Sequence, residues 1–299
     1  MLNASRMPTY VPRRPSRSTF VRLRDIDYHL REWGDASAPL LVMVHGWMDV
    51  SASFQFLVDA LARDWHVVAP DWRGYGLSGA NRGGCYWLPD YLGDLDALLD
   101  HVSPDAPVRL VAHSLGGNVS MLYAGARPAR IARLVNLEGL GMTGDTPDQA
   151  PRRFARWLDE VRTPPTLAEY PSLDAVVARL RKTNPRLRED RARFLAQHWS
   201  APTDAGTYRI LGDAAHKVVN PYLYRVDEIT ACWAAVTAPV LWVMARDSDY
   251  AKKMEASPGY AERIAAVPDV TRRWVDDAGH MLHHDQPEWL ADEIERFLD

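Results

Sequence analysis

Cysteine is scarce in this chain of 299 residues: only Cys85 and Cys232 are present. They lie far apart and lack metal-ligand spacing, so two reduced thiols are expected rather than a disulfide framework. Long apolar runs are missing too, so no membrane span is expected. Charge of one sign is not in excess. The 35 Lys and Arg against 39 Asp and Glu leave a net charge of −4, which offers no general attraction for nucleic acid or an acidic membrane surface. The segment around Gly74 and Gly76 lacks both the lysine of a phosphate loop and a full dinucleotide fingerprint, so no cofactor is assigned. No His, Cys and carboxylate group shows metal-ligand spacing, so no metal is assigned. Residues 1–18 hold Arg6, Arg13, Arg14 and Arg17 with three prolines and no apolar centre. They read as a flexible arm rather than a secretory signal, and a cytoplasmic location is expected.

What is present is an alternation of short apolar runs with amphipathic stretches. Residues 19–23 and 26–33 alternate as an opening β-hairpin. Residues 40–44, 66–69, 108–112 and 131–137 read as strands buried on both faces. Helical patterns at 54–61, 91–102 and 117–126 separate them. This is the pattern of a mostly parallel sheet flanked by helices. It stops near residue 140 and resumes with strands at 240–244 and 270–275 and a closing helix at 288–298. The interval 140–236 is rich in arginine, aromatics and proline. It is too long for a structureless loop and reads as an inserted helical cap. The expected organisation is therefore an arm at 1–18, a core at 19–139 and 237–299, and a cap at 140–236.

The main chemical signal is Leu110-Val111-Ala112-His113-Ser114-Leu115-Gly116-Gly117. A strand that turns at once into a helix, with a serine at the apex, exposes the hydroxyl above the sheet. The tight turn needs small residues two places before and after the serine, and Ala112 and Gly116 meet that need. The usual first small residue is glycine, so Ala112 is a mild departure. A helix-capping serine would look similar at this one position; the strand-to-helix context favours a nucleophile. A serine hydroxyl also needs a base. His280, on the loop after the last expected strand, takes that role ahead of His283 and His284. Those two lie toward the final helix and are expected to pack or face solvent. His113 and His45 read as scaffold, and Asp71 as a brace for the Arg73-Gly74 turn.

Four segments together resemble the α/β-hydrolase family over about residues 19–299, and within it the serine-hydrolase-like proteins. They are His45-Gly46-Trp47-Met48-Asp49, the Ser114 elbow with Asn118, Val135-Asn136-Leu137-Glu138-Gly139, and Gly279-His280-Met281-Leu282-His283-His284. The resemblance implies an α/β-hydrolase fold and the chain order nucleophile, acid, histidine. It places the acid most often after the strand at 240–244, but the matching position there is Ser248, flanked by Asp247 and Asp249. Family members with a Ser-Asp pair can carry the acid one strand earlier, where Glu138 ends an apolar run. Glu138 is taken first, Asp249 second and Asp247 third. The oxyanion donors are expected from the backbone N–H groups of Leu115 and Trp47. Phe154, Trp157, Trp199, Tyr208, Tyr222, Tyr224 and Trp233 are candidates for cap core or an acyl pocket, with Trp47 the better pocket candidate.

The expected activity is cofactor-independent cleavage of small-molecule carboxylic esters through an acyl-enzyme, by a monomer or homodimer. Cleavage of C–C, lactone or amide bonds, perhydrolysis, and a non-catalytic small-molecule binder are the alternatives. Dehalogenation and epoxide opening are disfavoured, because those relatives place aspartate where Ser114 stands.

Overall fold

The computed structural model describes residues 9–81 and 85–299. Strand formation follows the apolar runs. The strands are β1 (Arg17–Leu23), β2 (Ile26–Trp33), β3 (Leu40–Val44), β4 (His66–Pro70), β5 (Val108–His113) and β6 (Ile131–Leu137). After them come β7 (Glu169–Tyr170), β8 (Ser200–Pro202), β9 (Tyr208–Ile210), β10 (Val240–Ala245) and β11 (Val270–Val275). Eight of them form one sheet in the order β1-β2-β4-β3-β5-β6-β10-β11. The pairs β1–β2 and β2–β4 are antiparallel, and all the others are parallel. This is an α/β-hydrolase fold.

Side chains alternate across the sheet because successive strand residues point to opposite faces. Leu110, Ala112, Leu134, Trp242 and Met244 enter one core. Val111, Val135, Leu137, Val243 and Ala245 enter the other, under the helices Gln55–Ala60 and Pro287–Leu298. Covering both faces requires the continuous apolar runs seen in β3 and β10.

Three sequence expectations change. The excursion after β6 is not wholly helical, because β7, β9 and β8 form a small antiparallel sheet beside the helices Leu173–Thr183 and Glu189–Trp199. These strands of two or three residues are too short to show a period of two. The helix Val226–Ala234 belongs with the sheet rather than with the excursion: Trp233 is buried in the first core, 5.1 Å edge-to-face from Trp242. A helix carries the same apolar periodicity whichever body it covers, so sequence pattern could not assign it. The arm is also held where it is described. The Tyr10 hydroxyl and the Arg13 and Arg14 amides donate to the Asp59 carboxylate at 2.7, 3.1 and 2.7 Å. Residues 1–8, with Arg6, lie outside the described residues.

Cys85 and Cys232 are not bonded to each other. Among the described residues no helix is long and apolar enough to cross a membrane.

Candidate active site

The elbow is built by close backbone approach. Ser114 has φ 51° and ψ −111° between β5 and the helix Leu115–Ala126. Positive φ is uncommon for a residue with a side chain and marks local strain. The surroundings hold it there: the Ser114 N–H donates to Leu137 O at 2.9 Å, and the Asn118 N–H donates to Ser114 O at 2.9 Å. A Cβ on Gly116 would lie 2.5 Å from Val44 O, so only glycine lets the helix approach β3 this closely. Glu138 also has positive φ, 55°. The Asn136 side chain makes that turn, accepting from Gly139 N–H at 2.7 Å and donating to Gly139 O at 3.0 Å.

These turns bring Ser114, His280 and Glu138 into one hydrogen-bonded line. His280 Nε2 lies 2.9 Å from Ser114 Oγ, and His280 Nδ1 lies 2.6 Å from Glu138 Oε2. A carboxylate can only accept, so Nδ1 carries the proton and Nε2 offers its lone pair to the serine hydroxyl. Glu138 is fully buried and its oxygens have further donors. Ser248 Oγ donates to Oε2 at 2.7 Å, and the Ala245 N–H donates to Oε1 at 2.8 Å. Neither other acid is brought to His280. Asp249 is exposed at the start of the helix Asp249–Glu255, and Asp247 is exposed and paired with Arg186 at 2.7 Å. The arrangement can move a proton from Ser114 to His280 while a buried carboxylate holds the ring.

A family model described as alpha/beta hydrolase fold matches residues 39–287. The chain belongs to that family. This α/β hydrolase is 26% identical to a serine hydrolase-like protein of Danio rerio, over 89% of this chain and 83% of that one. It is 29% identical to a 2-(acetamidomethylene)succinate hydrolase of Mesorhizobium japonicum, over 92% of each chain. A solved structure of a hypothetical protein of Pseudomonas aeruginosa superposes with a TM-score of 0.82 at 26% identity, covering 94% of this chain and 97% of that one.

The other side of the hydrolase's nucleophile is formed by the loop after β3. Leu115 opens its helix, so its N–H has no intrahelical acceptor. His45 is buried, and burial lowers its pKa to about 4, which keeps the ring neutral. Its Nδ1–H donates to Gly46 O at 2.8 Å, while Nε2 accepts from the Trp72 N–H at 2.9 Å. The Gly46 carbonyl shares a planar trans peptide with the Trp47 N–H. Fixing one fixes the direction of the other. The Trp47 side chain is about half exposed and stands between two cavities. One, of about 460 Å³, contains Ser114 and His280 and is lined by Tyr170, Leu195 and Trp199. The other, of about 290 Å³, starts at Leu115 and is lined by Leu122, Tyr224 and Trp233. Of the remaining aromatic candidates, Phe154 and Tyr222 are exposed, Tyr208 packs on the core between the excursion and the sheet, and Trp157 lines neither cavity.

Several supporting contacts carry no sequence signal, although His113 reads as scaffold and Asp71 as a brace. His113 Nε2–H donates to the His280 carbonyl at 2.8 Å and so holds the backbone of the base. Burial, with the His283 and His280 rings beside it, lowers the His113 pKa and keeps the ring neutral. His283 and His284 do not face solvent: both are buried and hydrogen-bond with Ser53 at 3.0 and 2.5 Å. Asp49 joins them, and one ligand atom from each of Asp49, His283 and His284 lies within 4.8 Å of the others. No spacing rule links position 49 to 283. Asp71 braces more than one turn: its carboxylate accepts from the Ser51 and Leu77 N–H groups at 2.7 and 2.9 Å and meets His29 at 2.7 Å.

Proposed function

We propose that this α/β hydrolase is a serine esterase that cleaves carboxylic esters of small molecules through a covalent acyl-enzyme. The observation that carries the reading is the continuous line Ser114–His280–Glu138, with contacts of 2.9 and 2.6 Å and a fully buried acid. In this reading Ser114 Oγ attacks the acyl carbon while its proton passes to His280 Nε2. Glu138 stabilises the imidazolium so formed. The carbonyl oxygen, now negative, is met by the N–H groups of Leu115 and Trp47. Each such donor contributes on the order of 3 kcal/mol to the transition state. His280 then gives its proton to the leaving alkoxide, and the C–O ester bond breaks. Water attacks the acyl-serine, its proton passes through His280 to Ser114 Oγ, and the acid is released.

The excursion serves as a cap in this reading. Tyr170, Leu195 and Trp199 supply an apolar wall to the cavity that contains Ser114, which suits an acyl chain. The Trp199 indole donates to Met48 O at 2.8 Å and ties that wall to the oxyanion loop.

Ser114→Ala tests the reading. It is expected to reduce hydrolysis of p-nitrophenyl butyrate by roughly 10⁴-fold or more and to abolish labelling by a fluorophosphonate probe. Undiminished hydrolysis in that variant would remove the proposal. A panel of ester, amide, lactone and C–C substrates separates it from the same-fold alternatives.

A further inference from the structure

The two cavities beside Trp47 differ in charge. The smaller, which starts at Leu115, is lined by no Asp, Glu, Lys or Arg among the described residues. The larger, which contains Ser114 and His280, is lined by Arg179 and Lys217. Among the described residues Asp49 is the sole carboxyl group on its wall. Asp49 is buried, and burial pushes its pKa up to about 7. The wall of the larger cavity is therefore positive, on a chain whose net charge is −4.

Neither cation has a carboxylate partner among the described residues, and both are exposed. Arg179, on the helix Leu173–Thr183, donates through Nη1 to the Thr183 hydroxyl. Lys217 donates to Thr166 O at 3.0 Å. The neighbouring acids are engaged elsewhere. Asp174 pairs with Arg193 at 2.7 Å. Asp213 accepts from the Tyr86 hydroxyl at 2.8 Å and from the Ala215 N–H at 2.9 Å. Glu169 lies between the lining residues Ala168 and Tyr170, so strand alternation turns it away from the cavity. There it stands opposite Arg209 and accepts from the Thr207 hydroxyl at 2.9 Å.

The placement of these charges says what kind of molecule fills the cavity. Ser114 and His280 belong to the sheet side, while both cations come from the excursion. Most of the remaining excursion wall is apolar, through Leu180, Leu187, Leu195 and Trp199. A ligand matched to this wall has an apolar middle and an anionic group away from the reacting carbonyl. The guanidinium fork of Arg179 and the ammonium of Lys217 both form charge-assisted hydrogen bonds with a carboxylate. An alkyl end would leave both cations to water.

We propose that Arg179 and Lys217 hold a carboxylate at the far end of the acyl chain, so that the preferred substrates are half-esters of dicarboxylic acids. The turnover half of the statement rests on the esterase reading above; the binding of an anionic chain does not.

The test compares two esters of equal acyl length, the mono-p-nitrophenyl ester of adipic acid and p-nitrophenyl hexanoate. The parent is expected to favour the adipate half-ester in kcat/KM by at least about threefold. Changing Arg179 and Lys217 together to Gln is expected to lower that preference about tenfold. Lys182→Gln removes a charge from the same helix outside the cavity and is expected to leave the preference within about twofold. Raising NaCl from about 0.02 to about 0.5 M is expected to slow the adipate ester severalfold and spare the hexanoate, because salt screens exposed charges. A merely structural role would lower both esters alike. The binding half is read separately, by titrating monomethyl adipate and methyl hexanoate into Ser114→Ala in a calorimeter. Tighter binding of the adipate that is lost on changing Arg179 and Lys217, with no hydrolysis of any ester by the parent, keeps the anion site and removes the esterase reading. The anion site is overturned if Ser114→Ala binds the two chains alike, if the parent favours hexanoate, or if the double Gln variant keeps the parent's preference.

Discussion

Glu138 and Phe154 are close in sequence and opposite in environment. Glu138 ends a strand of the central sheet, is fully buried, and has a partner for each oxygen. Phe154 sits on the excursion that follows and leaves much of its ring in solvent. The same contrast runs through the molecule. The strand ends hold Ser114 and Glu138 at positive φ, and the loop after β3 holds Met48 at φ 54°. Such conformations cost about 1–3 kcal/mol each and persist only where packing enforces them. The excursion shows no such density of constraint around its first helix. Position is therefore set at the sheet, while the excursion supplies a wall and a surface.

The largest expected effect lies at the sheet. Glu138→Gln keeps the volume of the acid but puts an amide donor where His280 needs an acceptor. A triad that loses its carboxylate in this way loses roughly 10³–10⁴ in kcat. Steady-state kinetics on a short-chain ester checks it. Asp249→Asn, at an exposed helix start, is expected to stay within about twofold. If Asp249→Asn carried the large loss and Glu138→Gln the small one, the acid would be on the wrong strand and the contrast would break.

A second effect tests whether the excursion is fastened to the sheet layer or merely rests on it. Leu195 is buried in a cluster that joins Val176, Val177 and Phe194 of the excursion to Val50, Ala52 and Phe56 of the segment after β3. Leu195→Ala leaves a cavity at that seam and is expected to cost about 2–4 kcal/mol in urea denaturation. A cost below about 1 kcal/mol would mean that the seam relaxes freely and that the two regions are less coupled than this cluster implies.

These positions differ in how far they could be read from sequence. Strands β3 and β10 are legible because a strand buried on both faces is apolar throughout, and β5 and β6 because polar residues interrupt their apolar runs at only a few positions. Glu138 stood out because a carboxylate leaving such a strand needs a partner. Ser248 could be seen only as a missing aspartate; that its hydroxyl donates to Glu138 follows from the three-dimensional register of β6 against β10. The helix Val226–Ala234 packs through Trp233 on the first core, and an amphipathic period does not say which body a helix covers. The His113 hold on the His280 backbone spans 167 positions and uses a carbonyl, which every residue has. Asp49 likewise meets His283, at 3.9 Å, across a separation that no local pattern announces.

Asp49 supports the smallest and most discriminating prediction, because it sits where the two regions meet. Burial pushes its pKa up to about 7, only partly offset by hydrogen bonds from Ser53 and the Val50 backbone. An unfolded aspartate titrates near ~3.9. Between roughly pH 4 and 7 the folded state therefore binds more proton than the unfolded state, so stability falls as pH rises through that window. Asn at this position does not titrate and escapes the penalty. Asp49→Asn is expected to melt a few degrees above the parent at pH 8, with the gap closing toward pH 4. Calorimetry across that range checks it. A gap that stays constant with pH would mean that Asp49 is ionised throughout, held by His283 or His284 as a charged pair. The cluster of Asp49, His283 and His284 would then carry charge rather than remain a neutral part of the packing between the sheet and the excursion.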